Sequence, residues 1–189
     1  REHGRCPHHL GGECIRRGWA GVKFCGTLIA VRDMAVSKQF YAQTLGLAVE
    51  ADFGANVMLT GGLYLQTLDS WRGFLGKSEE EISFYHFAGE LYFEEEDMDG
   101  FCQRLAALPG LRYVHPLREH AWGQRVVRFI DPDGHIIEVG ETMSGVVRRF
   151  LRAGFTMEET ACRMNVPLSF VRQKAGEIDW ETRAKEETT

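Results

Sequence analysis

Two halves of this chain repeat one another, and the repeat restricts the fold more than any other feature. Asp33-Met34 precedes Gly46-Leu47 by the same interval as Asp97-Met98 precedes Gly110-Leu111. Gly62 stands four residues before Gln66, as Gly134 does before Glu138, and Gly26 leads Asp33 by the same seven residues as Glu90 leads Asp97. In the first half, Phe24 to Arg32 reads as a strand with Thr27, Ile29 and Val31 on one face. Asp33 is placed to cap a helix from Met34 to Leu45, which Gly46 ends. Short strands follow near Ala48–Asp52, Ala55–Thr60 and Leu63–Leu68, with Gly61-Gly62 as a tight turn. The second half predicts a strand over Glu90–Glu96, a helix over Met98–Leu108, and strands near Arg112–His115, Arg125–Ile130 and His135–Glu141. Neither half can bury its sheet face alone, so the expectation is an α+β fold of two paired βαβββ modules.

The final pair of strands forms a hairpin. Asp131-Pro132-Asp133-Gly134 supplies its turn, with proline presetting φ at the second position and glycine taking the left-handed one. On the return strand His135, Ile137 and Val139 share one face, and Ile136, Glu138 and Gly140 the other. Glu138 is therefore either a solvated carboxylate on an open sheet face or one aimed into a cavity. Ser70 to Phe87 reads as a connector without regular structure, carrying Trp71, Phe74, Phe84 and the acidic run Glu79–Glu81. The loop from His115 to Arg125 gathers His115, Glu119, His120, Trp122 and Arg125, which suits it to rim a pocket. His115 and His120 are candidate general bases, Trp122 a stacking surface, and Arg125 a bidentate grip on a carboxylate or phosphate. Glu119 is a partner for Arg125.

Composition narrows the setting. A net charge of −5 argues against a surface built for nucleic acid. No apolar run is long enough to cross a bilayer, and five cysteines without scaffold spacing read as reduced thiols of a cytoplasmic protein. Residues 1–21 follow no periodic pattern and are expected to be a disordered leader or a non-native extension. Their Cys6, His8, His9 and Cys14 match no standard zinc spacing.

The segments TLIAVRDMAVSKQFYAQTLGL and RFIDPDGHIIEVGE resemble the vicinal oxygen chelate superfamily, which includes glyoxalase I, extradiol dioxygenases and bleomycin-resistance proteins. The resemblance spans about 22–142, with modules near 22–69 and 88–142. It implies a sheet curled into an open cup with helices outside, and commonly a dimer. It also implies a metal on four positions, which fall here on Gly26, Gln66, Glu90 and Glu138. Strand parity places Gly26, Leu28, Glu90 and Tyr92 on the cup side. The departure is plain: Gly26 offers no side chain and Gln66 is a weak ligand. Two carboxylates and an amide suit Mg²⁺ or Mn²⁺ better than Zn²⁺. Alternatively, Glu90 and Glu138 are a proton-transfer pair. Tyr92, Trp71, Trp122, Arg125 and Glu119 complete the expected ligand-binding set. The function expected is binding of a small polar metabolite, with lyase- or isomerase-type proton transfer beside a carbonyl. The alternatives are drug sequestration as in the bleomycin-resistance branch, or a ligand-sensing regulator.

Residues 143–189 form a helical tail: a helix over Val146–Ala153, a second opening at the Thr156 capping box and running to Met164, and a third from Pro167 to Lys174. Their order resembles the helix-turn-helix of bacterial regulators and recombinases. The preferred expectation is a helical extension that packs on a partner subunit of a homodimer, since so short a unit has little core of its own.

Overall fold

The computed structural model describes residues 22–186, with side chains through Glu177. The expectations for residues 1–21 lie outside the described residues. The first module comprises β1 (Thr27–Val31), α1 (Met34–Leu45), β2 (Val49–Asp52), β3 (Asn56–Leu59) and β4 (Leu63–Thr67). The second comprises β5 (Glu90–Glu95), α3 (Met98–Ala106), β6 (Arg112–Glu119), β7 (Arg125–Ile130) and β8 (Ile136–Glu141). Between them lie α2 (Leu68–Leu75) and a single 3₁₀ turn at Glu79–Glu81. Each module forms a four-stranded mixed sheet, ordered β1-β4-β3-β2 and β5-β8-β7-β6. The first strand of each runs parallel to the last, and the remaining pairs are antiparallel. This is the paired α+β architecture expected from the repeat, with both sheets open.

Local chemistry explains the element ends. The Asp33 carboxylate accepts hydrogen bonds from the backbone of Ala35 and Val36, and Gly46 closes α1 in the left-handed conformation at φ 68°. Asp97 caps α3 through the Gly100 N–H. Alternation then decides what is buried. Ile29 and Val31, Val127 and Phe129, and Ile137 and Val139 meet Tyr41, Met98, Phe101 and Leu105 in one core shared by both modules. The opposite face of β7 and β8 is left to Arg128 and Glu138.

A buried polar hub at the β7–β8 turn ties the modules together. Asp131 is fully buried and accepts from the backbone N–H of Asp133 (2.9 Å) and His135 (2.8 Å). It also accepts from the Tyr41 hydroxyl on α1 (2.9 Å) and pairs with His135 Nδ1 (2.9 Å). Its neighbour Asp133 takes the Arg32 backbone N–H and guanidinium at the end of β1. Burial, reinforced by Asp131, pushes the Tyr41 hydroxyl well above its ordinary range.

Three expectations need correction. Ser70 to Phe87 is not without structure: α2 occupies its first part and ends at Gly76 in the left-handed conformation. Gly73 inside the helix hid the Leu68, Trp71 and Leu75 spacing. The stretch from His115 is not a long loop either. β6 runs on to Glu119, and only a tight turn remains, held by His120 N–H to Gln124 O and Gly123 N–H to His120 O (both 2.8 Å). Pro116 disguised this strand. It is accommodated because β6 is an edge strand whose register shifts on either side of His115.

The tail is the third. It consists of α4 (Met143–Arg152), α5 (Met157–Met164) and α6 (Leu168–Glu186), so its last helix is much longer than expected. It has a core of its own: Val146, Val147 and Phe150 pack with Ala161, Met164, Val171 and Ala175. It also docks on its own chain. Gly123, at φ 89°, receives the Phe150 ring so closely that a Cβ there would lie 2.4 Å from it. Glu141, buried at the end of β8, is gripped from both sides, by Arg125 (3.1 and 3.2 Å) and by Arg149 of α4 (3.1 and 3.2 Å). The apolar face of α4 is consequently filled within the protomer.

Candidate functional site

The site is built on the face of the second sheet turned away from the helices. In the β7–β8 hairpin Arg128 is the cross-strand partner of Glu138, while Tyr92 on β5 lies beside Glu138 from the other edge. The guanidinium of Arg128 forms an ion pair with Glu138 through Nη2. It reaches Glu90 through Nε (2.8 Å) and Nη2 (3.4 Å). Its Nη1 meets His115 Nε2 at 3.1 Å. His115 Nδ1 lies 2.8 Å from the Pro116 carbonyl. Arginine only donates, so Nε2 must accept, and Nδ1 carries the proton to Pro116. The two contacts set the orientation and tautomer of the His115 ring.

The two carboxylates differ in access. The Glu138 side chain is 8% exposed and that of Glu90 is 34% exposed. Beside them, His120 and Trp122 stack with ring centres 4.2 Å apart at an interplanar angle of 17°. Trp122 Nε1 donates to Gln124 Oε1 (3.2 Å), and Gln124 donates onward to the Tyr92 hydroxyl (3.2 Å), which itself donates to Glu94 (3.0 Å). Partial burial, reinforced by the positive charge of Arg128, holds His120 below the ordinary histidine value. Burial is likewise the main reason the Tyr92 hydroxyl sits above its usual value.

The structure thus brings together Glu90, Glu138 and His115, with His120, Trp122 and Tyr92 alongside. Arg125 and Glu119 are not in this group. Arg125 holds Glu141 and Asp99, and Glu119 faces Arg149 (3.3 Å) and Arg163 (3.6 Å) of the tail. Gln66 accepts from Asn56 Nδ2 (2.9 Å) and donates to Ser70 Oγ (2.7 Å), all within the first module and α2. Trp71 is half-buried on α2. Arg128 is the residue that sequence reasoning missed. Counting back from the Asp131–Gly134 turn pairs it with Glu138, so the signal lay in the hairpin register.

The donor set can be tested against the divalent ion that the resemblance implies. Gly26 lies at φ 151°, and a Cβ on it would fall 2.0 Å from the Gly62 carbonyl oxygen. Position 26 therefore cannot carry a ligand with this backbone. Both ends of the Gln66 amide are engaged. A guanidinium occupies the space between the two carboxylates, where a cation would sit. Among the described residues no group of three or more His, Cys, Asp or Glu side chains is arranged to hold an ion. These residues do not fit Mg²⁺, Mn²⁺ or Zn²⁺.

A larger cavity, about 420 Å³, lies at the joint between α3, the end of β8 and α4. Its arginines and carboxylates largely cancel: Arg125 and Arg149 converge on Glu141, and Arg148 lies 3.7 Å from Glu96. It is a seam between module and tail.

Comparison with known proteins agrees with this architecture. A family model described as a glyoxalase-like domain matches residues 24–144. A protein of unknown function from Agrobacterium tumefaciens is 38% identical, with a TM-score of 0.59, over 67% of this chain and 98% of its own. A glyoxalase-related enzyme from Fulvimarina pelagi is 20% identical over 64% of this chain and 88% of its own, with a TM-score of 0.52. A glyoxalase/bleomycin resistance protein/dioxygenase family enzyme from Burkholderia phytofirmans is 15% identical over 63% and 98%, with a TM-score of 0.53. No curated protein matches. With the paired modules in place and the family model covering both of them, the chain belongs to the glyoxalase-like family of the vicinal oxygen chelate superfamily.

Proposed function

We propose that the protein binds a small metabolite carboxylate on the open face of the second module, without a resident metal. The observation that carries this reading is the Glu90–Arg128–Glu138 arrangement. Arg128 keeps the buried Glu138 as its permanent counter-charge, while the more exposed Glu90 holds the place of an incoming carboxylate. The ligand displaces Glu90 and takes a bidentate grip on the guanidinium. Its planar part lies on the Trp122–His120 stack. No step passes through a metal ion.

Glu90→Gln is then expected to tighten binding of pyruvate and benzoate several-fold, because it removes the competing charge. Arg128→Lys is expected to abolish binding. Isothermal titration with both probes checks this. If Glu90→Gln weakens binding as much as Arg128→Lys does, Glu90 is a ligand contact rather than a place-holder.

A second reading is a lyase- or isomerase-type proton transfer on that ligand. It is favoured by His120, which is held neutral beside the aromatic shelf and so is available as a base. Loss of solvent deuterium exchange at C3 of bound 2-oxobutyrate, the methylene beside its ketone, in His120→Gln would support it. Exchange unchanged in that variant would leave binding alone.

We also propose a homodimer, now on different grounds from the tail. β2 and β6 are open sheet edges, and Phe53, just past β2, is largely exposed. Light scattering at micromolar concentration should give twice the chain mass, and a monomer would remove the proposal. Among the described residues no helix is long and apolar enough to cross a membrane. The free thiols of Cys25, Cys102 and Cys162 suit the reducing setting of the cytoplasm.

A further inference from the structure

A cavity of about 210 Å³ adjoins the Arg128 cluster only through Glu90 and lies in the gap between β1 and the β5–β8 pair. Its walls are mainly apolar, from Ile29, Leu91 and Ile136, and His86 and Phe87 line it from the connector. The polar group that distinguishes it is His135. Asp131, fully buried, accepts from the His135 backbone N–H and pairs with its Nδ1 at 2.9 Å, which fixes both ring orientation and tautomer. With Nδ1 committed to the carboxylate, Nε2 is the ring atom left to meet a ligand. Among the described residues no protein group bonds that nitrogen.

The segment beside the cavity is strained and deliberately held. Tyr85 and Phe87 lie at φ 60° and 50°, a conformation that bulky residues rarely adopt. The strain is sustained by neighbouring contacts. Phe84 lies under the Arg32 guanidinium (3.9 Å) and meets His135 edge-on. Tyr85 rests against Gly134 and accepts from Arg112 Nη1 at 2.6 Å. The outcome is that Phe87 borders the cavity while remaining 58% exposed. An aromatic ring is held at the mouth with much of its surface uncovered.

We propose that this cavity is a second small-molecule site, separate from the carboxylate site, and that its ligand is a one-ring phenol. The volume is below the range of about 300–1,000 Å³ usual for drug-sized ligands, which limits the guest to a single ring. The apolar walls take the ring, Phe87 closes over it, and the hydroxyl donates to His135 Nε2. A carboxylate ligand suits the site less, because the walls are apolar and the buried Asp131 already sets a negative charge against the His135 ring. Glu90 touches both sites, but its carboxylate is directed to Arg128.

The test titrates p-cresol and its deoxy analogue toluene against the full chain by saturation-transfer NMR. One satisfied hydrogen bond predicts that p-cresol binds about five- to tenfold tighter than toluene. His135→Asn retains an N–H for Asp131 and removes Nε2, so it should reduce p-cresol to the affinity of toluene and leave toluene unchanged. Phe87→Ala, on an exposed side chain that the fold does not need, should weaken both. In the wild type, p-cresol should also shift the ¹⁵N resonance of His135 Nε2, which tests the contact without any substitution. Arg128→Lys should leave p-cresol binding intact, which separates this site from the carboxylate site. Equal affinity for the two probes, no ¹⁵N shift, or no saturation transfer at about 1 mM p-cresol would each overturn the proposal.

Discussion

Replacing Asp131 with alanine is expected to cost about 3–5 kcal/mol, the range for breaking a buried charged network by removing one partner. For a chain of this size that is a fall in melting temperature of roughly 6–20 °C. The variant leaves the Tyr41 hydroxyl, the His135 ring N–H and two backbone N–H groups without their acceptor. It also cuts the link from α1 to the β7–β8 turn. The effect should depend on pH in a definite sense. Burial works to raise the Asp131 pKa, but the bond and charge of His135, its backbone N–H and the Tyr41 hydroxyl outweigh burial and hold it below the ordinary value. The folded value lies under the unfolded one, so its contribution is complete above about pH 4 and is lost as pH falls through the folded value. Asp133 behaves oppositely. Burial, assisted by the charge of Asp131, raises its pKa despite the Arg32 bonds. Ionised Asp133 therefore weakens the fold at neutral pH, and that penalty disappears as pH drops below its raised value. Asp133→Asn should accordingly be much milder than Asp131→Asn in melting curves at pH 7. Equal losses, or an Asp131→Ala protein melting within a degree of wild type, would refute the hub.

The second large effect is expected at Arg128. Arg128→Met keeps the unbranched stem of the side chain but leaves Glu138 buried, charged and facing Glu90 with no counter-ion. The cost should again be about 3–5 kcal/mol at neutral pH. Adding Glu138→Gln should restore most of it, because the stranded charge is then gone. Arg128→Met alone should also acquire something the wild type lacks, a melting temperature that rises with Mn²⁺, since the two carboxylates now face an empty cation position. Denaturation with and without Mn²⁺ on these proteins separates the possibilities. A stable Arg128→Met protein indifferent to Mn²⁺ would mean that the guanidinium is not what keeps the carboxylates together.

How far the sequence carried the reading can be judged from particular residues. The repeat matched Glu90 to Gly26 and Glu138 to Gln66, and alternation along the strands put both glutamates on the face away from the helices. Both inferences depend only on local periodicity, which short stretches display directly. Arg128 was missed because its role depends on which residue stands across the hairpin. Arg125 was preferred for its place in a loop rich in functional side chains, yet its partners, Glu141 and Asp99, come from β8 and α3. Pro116 and Gly73 each suppressed an element that tertiary packing stabilises against local propensity. The tail was underestimated for a similar reason. Its core draws on three helices at once, and no single helix reveals how well Val146, Phe150, Met164 and Val171 meet.

The close approach of Gly26 to Gly62 bears on the routes by which such a site could change. The Gly62 carbonyl accepts the Thr27 N–H at 3.0 Å, so the β3–β4 turn is stitched to the start of β1. Any side chain introduced at position 26 meets that carbonyl before it reaches the sheet face. A histidine there is not one substitution away from usefulness. It first requires a turn of different length or path between Leu59 and Leu63. A histidine ligand at position 26 is thus separated from this sequence by at least two changes, whereas refinement of an arginine-based pocket lies open to single steps at Glu90, His120 or Trp122.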